Sequence, residues 1–100
     1  MILVSLEPPI TNDKDEMMHD GAELSAHGLH IKNNPEFLNE EMRHLINCIL
    51  MKYGLFFQLR TFGDGDIKYW AYGIHLIGRS LLRLDYIKAK KHWNDFNKSV

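Results

Sequence analysis

A single cysteine, Cys48, excludes a disulfide framework and any zinc site built from several thiolates, and it fits a reducing compartment. Long apolar runs are missing too. No stretch reaches the roughly 18 apolar residues that a membrane-crossing helix needs, so no membrane contact is expected. The opening Met1-Ile2-Leu3-Val4-Ser5-Leu6 is apolar, but it lacks a basic flank and breaks at Glu7-Pro8-Pro9, which is too short for a signal peptide. Positive charge is scarce in one half of the chain. Residues 1–50 hold three Lys/Arg against nine Asp/Glu, whereas residues 51–100 hold nine against four. A net charge of −1 therefore hides halves of about −6 and +5, an asymmetry that suggests an anionic partner for the second half.

What is present is ordinary for one globular domain: 45% hydrophobic and 25% charged residues in 100. A chain this short buries well under three quarters of its unfolded surface, so its margin of stability is thin and a partner would help. Residues 1–17 show no convincing period and are expected to form an irregular arm. From Gly28 the pattern sharpens. Leu29-His30-Ile31-Lys32 alternates apolar and polar, which predicts a half-buried strand ended by Asn33-Asn34-Pro35.

Leu38, Met42, Leu45, Ile46, Ile49, Leu50 and Tyr53 recur every three or four residues and predict an amphipathic helix over roughly 39–53. Asn39 is its expected N-cap, Glu40 and Glu41 suit the positive end of its dipole, and Gly54 supplies the stop. Residues 55–61 and 67–72 both alternate and predict two strands joined by a hairpin at Gly63-Asp64-Gly65-Asp66. Ile74, Ile77, Leu81 and Leu84 return to helical spacing. A basic tail, 88–100, follows with Trp93 and Phe96. The expected class is α+β, with a small antiparallel sheet backed by helices.

In order and spacing, several pieces of this pattern resemble the second half of a LAGLIDADG homing endonuclease, in the branch encoded by organellar introns. Those pieces are Asp20-Gly21, Gly28-Leu29-His30-Ile31, Glu40-Glu41-Met42, Lys52-Tyr53-Gly54-Leu55, Tyr69-Trp70-Ala71 and Asp85-Tyr86-Ile87, within a unit spanning about 18–87. The resemblance implies a half-domain in αββαββα order whose curved sheet lies in the DNA major groove. It also implies that Asp20 is the catalytic carboxylate and a ligand to Mg2+, which would activate water and neutralise charge on the phosphodiester. It further implies a second copy or a separate first half-domain, and a mitochondrial or other organellar location. Residues 13–16, Asp-Lys-Asp-Glu, depart from the small apolar helix of the motif, so the expected protein is a truncated or degenerate member.

On the predicted strands, side chains opposite the apolar face would gather His30, Lys32, Gln58, Arg60, Lys68, Trp70 and Tyr72 on one surface. Arg and Lys reach guanine edges or phosphate, and Gln bridges adenine, so this face is the expected contact for duplex DNA. Structured RNA is the alternative partner, in a splicing-cofactor role. A structural subunit of a ribonucleoprotein, docking its aromatic face on protein, is a third. His19 and His27 are expected at the surface, and Cys48 as a small residue beside the apolar stripe.

Overall fold

The first regular element begins where a capping side chain is available. Asp13 has extended backbone angles, and its carboxylate accepts the Glu16 N–H at 3.0 Å, opening helix α1 (Lys14–Asn33). A short 3-10 turn, Pro35–Phe37, reverses the chain, and its Phe37 ring stacks on His30 with centroids 4.0 Å apart. Asn39 then caps α2 (Glu40–Lys52) through the Met42 N–H at 2.8 Å. That helix stops at Gly54, whose φ of 68° lets the Leu55 N–H reach back to the Leu50 carbonyl. Helices α3 (Asp64–Leu82) and α4 (Tyr86–Lys98) complete the order. The computed structural model describes residues 13–59 and 63–98.

The expected α+β half-domain is not what forms. Among the described residues there is no strand, and the fold is all-α. Each of the three predicted strands fails for its own reason. Gly28 to Lys32 continue α1, because Leu24, Gly28 and Ile31 are all buried at helical spacing, and that longer period outweighs four alternating residues. Residues 67–72 belong to α3. There Trp70, Ala71, Ile74, Ile77, Gly78 and Leu81 form one buried stripe, so the expected helix simply starts nearly three turns earlier. The supposed hairpin, Gly63-Asp64-Gly65-Asp66, is its N-terminus, with two carboxylates suited to the dipole.

Residues 55–59 are extended, as expected, but have no ladder partner. Leu55 and Phe57 point inward while Phe56 and Gln58 are exposed, so the alternation was read correctly and the sheet was not. Instead of a neighbouring strand, two indoles satisfy the backbone. Trp93 Nε1 donates to the Phe56 carbonyl at 3.1 Å, and Trp70 Nε1 to the Phe57 carbonyl at 3.4 Å. The two indoles thus hold this segment as a strap against α3 and α4.

The helices are held by close approach at small residues. Gly21 lies against Gly78 and Leu82, and Gly28 against Ala71 and His75, so α1 and α3 run antiparallel with backbones nearly touching. A Cβ on Gly28 would sit 2.6 Å from the His75 nitrogen and 2.7 Å from the Ala71 oxygen. Helix α4 lies along another side of α3, where Phe96 covers Gly73 and Ala89 is fully buried. Ile46, Ile49 and Leu50 of α2 join Leu24, Ile31, Ile74, Ile77 and Leu81 in a common core, each such side chain contributing roughly 1.5–3 kcal/mol on burial. No helix among the described residues is long and apolar enough to cross a membrane.

Candidate functional site

Asp20 lies one helical turn after Glu16 in α1 and is only 6% exposed. Its Oδ2 accepts the Tyr53 hydroxyl at 2.5 Å and the Lys52 ammonium at 2.8 Å, while Lys52 also reaches Glu16 Oε1 at 2.6 Å. The hydrogen bond that Lys52 donates to Asp20, followed by the one to Glu16, holds the Lys52 pKa above its ordinary value. Burial, followed by the bond to Asp20, pushes the Tyr53 phenol well up. Tyr86 extends the chain of contacts by donating to the Tyr53 carbonyl at 2.9 Å. Together they tie α1 to the exit of α2 and the start of α4.

That arrangement does not suit the magnesium implied by the LAGLIDADG resemblance. His19, Asp20 and Glu23 bring ligand atoms within 4.8 Å of one another, but only two of them offer oxygen. The Asp20 charge is already met by an ammonium and a phenol, and Glu23 lies between His19 at 3.9 Å and His27 at 3.7 Å. In this structure the contacts of Asp20 tie α1 to the end of α2.

The residues expected on a strand face are scattered by the helices. Trp70 is 3% exposed and belongs to the core, pinning the strap. His30 is exposed at the end of α1 and stacks on Phe37. Gln58 is exposed on the strap, and Arg60 lies outside the described residues. Lys32, Lys68 and Tyr72 do come together. Lys68 and Tyr72 are exposed one turn apart on α3, and the Lys32 ammonium lies 4.9 Å from the centre of the Tyr72 ring.

They belong to a longer feature. Lys68, Tyr72, His75, Arg79 and Arg83 follow one another at spacings of four, three, four and four, which places them within about 80° of arc along about 22 Å of helix. Every one is exposed or half-exposed. Helix α1 borders this stripe on one side, where His75 Nδ1 lies 3.1 Å from the Ser25 carbonyl. The Ser25 hydroxyl lies 3.0 Å from the same nitrogen, so the ring is tied to α1 by both polar groups of that residue. Helix α4 borders the opposite side, with the Phe96 ring 6.3 Å from Tyr72. Among the described residues, no carboxylate forms an ion pair with Lys68, Arg79 or Arg83.

At its C-terminal end the stripe opens into a cleft of about 230 Å³ between α3 and α4, lined by Leu76, Arg79, Ser80, Arg83, Asp85, Lys88 and His92. Asp85 caps α4 by accepting the Lys88 N–H at 3.0 Å. Burial, followed by the charge of Lys88, holds the His92 pKa below its ordinary value. Sequence reading missed His75, Arg79, Arg83 and His92. For the first three the signal is the three- and four-residue spacing of polar positions through 68–83, which a strand over 67–72 hides. No family model, curated protein or solved structure matches this chain.

Proposed function

We propose that this chain is a nucleic-acid-binding module that holds the sugar–phosphate backbone along the exposed stripe of α3. One observation carries the reading: three cations, Lys68, Arg79 and Arg83, share a helix face with Tyr72 and His75 and form no ion pair with a carboxylate among the described residues. Arg and Lys neutralise phosphates, and an exposed tyrosine gives a base a surface to stack on. Lys32 adds a cation beside that ring.

The position of α3 favours single strands and looped RNA over duplex DNA. A helix that reads the major groove must project from its domain, whereas α3 lies between α1 and α4. A flanked, shallow surface instead suits a backbone that can bend, with bases free to splay and stack. The endonuclease expectation is not carried forward, since it required a sheet in the groove and a free carboxylate at Asp20.

Fluorescence anisotropy of labelled single-stranded, hairpin and duplex oligonucleotides at two salt concentrations tests the reading. The expected order is hairpin RNA or single strand ahead of duplex, with affinity falling steeply as salt rises. Lys68→Gln and Arg79→Gln should each lower the salt slope by about one while leaving the unfolding midpoint unchanged. Binding that is absent, or indifferent to salt and to both substitutions, would overturn it.

A further inference from the structure

The stripe explains backbone contact, but the cleft at its end is a different kind of site. Arg79 and Arg83 enter it from α3, and Lys88 and His92 enter from α4, so it gathers donors from two helices around a concave space. Among the described lining residues there is one carboxylate, Asp85, which also caps α4. The three cations and that carboxylate leave a surplus of two positive charges. An internal phosphodiester carries one negative charge and cannot match this surplus. A phosphate monoester carries about −1.5 to −2 at neutral pH and presents three terminal oxygens, enough for Arg79, Arg83 and Lys88 together.

Size points the same way. At about 230 Å³ the cleft falls below the roughly 300 Å³ at which sites for drug-sized ligands begin, so it admits a terminal group and leaves the rest of the ligand outside. The lining suits that role: Leu76 gives one apolar wall, and the Ser80 hydroxyl, which donates to the Leu76 carbonyl at 3.1 Å, keeps its oxygen within the same wall.

We propose that the α3–α4 cleft is a site for a terminal phosphate monoester, seating the phosphorylated end of a strand whose backbone lies on the α3 stripe. The proposal rests on the nucleic-acid reading for its ligand, although the cleft's preference for a monoester stands on its own lining. Two sources share this chemistry, a strand end and a free nucleoside monophosphate, and the cleft's continuity with the stripe favours the first.

Calorimetric titration of the full chain with four probes separates the outcomes: a 5′-phosphorylated oligonucleotide, the same strand with a 5′-hydroxyl, a nucleoside 5′-monophosphate and phenyl phosphate. The phosphorylated strand should bind at least tenfold more tightly than its hydroxyl twin. Lys88→Gln should abolish that advantage and leave the hydroxyl strand within twofold of its original affinity. Arg83→Gln should weaken both strands and the phosphorylated one more. Unfolding midpoints close to that of the unaltered chain confirm that each variant is folded. In parallel, phenyl phosphate should shift amide resonances of residues 79–92 in a two-dimensional nitrogen–proton spectrum. Equal, salt-sensitive binding of both strands overturns the monoester site while sparing the stripe. Tight binding of the monophosphate with no binding of either strand supports the cleft and overturns the nucleic-acid reading. An advantage that survives Lys88→Gln, or a spectrum unmoved by phenyl phosphate, also overturns the cleft proposal.

Discussion

Glycine does two opposite jobs in this chain, and the difference lies in what surrounds the missing methyl. At Gly28 the space for a Cβ is filled by backbone atoms of His75 and Ala71, which cannot rotate away. Alanine there must push α1 and α3 apart, at a cost of about 1–3 kcal/mol. At Gly65, in the first turn of α3, nothing lies within 4 Å. Alanine there gains helix propensity and should stabilise by about 0.5–1 kcal/mol. Urea midpoints should move down for Gly28→Ala and up for Gly65→Ala. Matching shifts would contradict the close crossing. Leu84 is a third case. It takes a φ of 59° in the turn between α3 and α4, where α2 uses Gly54 for the same bend, and it is a costly choice of residue beside the cleft.

Among the elements, the strap at 55–59 depends most on a few groups. It is extended without a partner strand, so the indoles of Trp70 and Trp93 take the place of a ladder. Trp93→Phe keeps most of the apolar contact and deletes one donor, which should cost about 1 kcal/mol. Hydrogen exchange should quicken along the strap and stay unchanged at the α1–α3 crossing; a uniform loss of protection would mean that the strap is not held this way. The strap also shows where sequence reading succeeds and where it stops. The caps of α2 at Asn39 and Gly54 were legible because each is fixed by its immediate neighbours. So was the in-and-out alternation of Leu55 to Gln58. Pairing was not, because alternation says which side chains turn inward and nothing about whether another strand is there to meet them. The same gap hid the stripe. Lys68 and Tyr72 were singled out, yet their alignment with Arg79 and Arg83 needed a helix where Ile67, Tyr69 and Ala71 alternate convincingly. Asp20 takes its expected role from the LAGLIDADG resemblance, and the partners it meets in the fold, Lys52 and Tyr53, lie at the end of another helix, where no local pattern reveals them.

For the molecule as a whole, two groups of titrating residues set the edges of the stable pH range. Burial lowers the His92 pKa in the folded state, and Lys88 and Lys91 on its own helix act the same way, against Asp95. Arg79 and Arg83 of α3 line the same cleft. The folded pKa is therefore below the unfolded value of about 6.5, so the unfolded chain takes up protons first as pH falls. Stability from this source is full above about pH 6.5 and declines below it. At the other edge the signs reverse. Lys52, Tyr53 and Tyr86 all have raised pKa values, so the unfolded chain loses protons first above about pH 10, and stability falls as pH climbs. Asp20→Asn should lower stability at pH 7 by about 1–3 kcal/mol and make the alkaline decline shallower, since Lys52 and Tyr53 lose the anion that holds their protons. Melting temperatures from pH 5 to 11 read both edges. An alkaline limb as steep in Asp20→Asn as in the parent would show that the tie is not coupled to folding.

The crossing of α1 and α3 also bears on how the chain reaches its native form. Ser25 and His75, which meet there, are 50 residues apart, so the contact must wait for a long loop to close. On a ribosome, α1 emerges well before its docking helix exists, with Leu24 and Ile31 uncovered until residues near 80 have been made. Assembly of these helices is consequently late and cooperative rather than stepwise, and α1 is the helix most in need of shelter while translation is still under way.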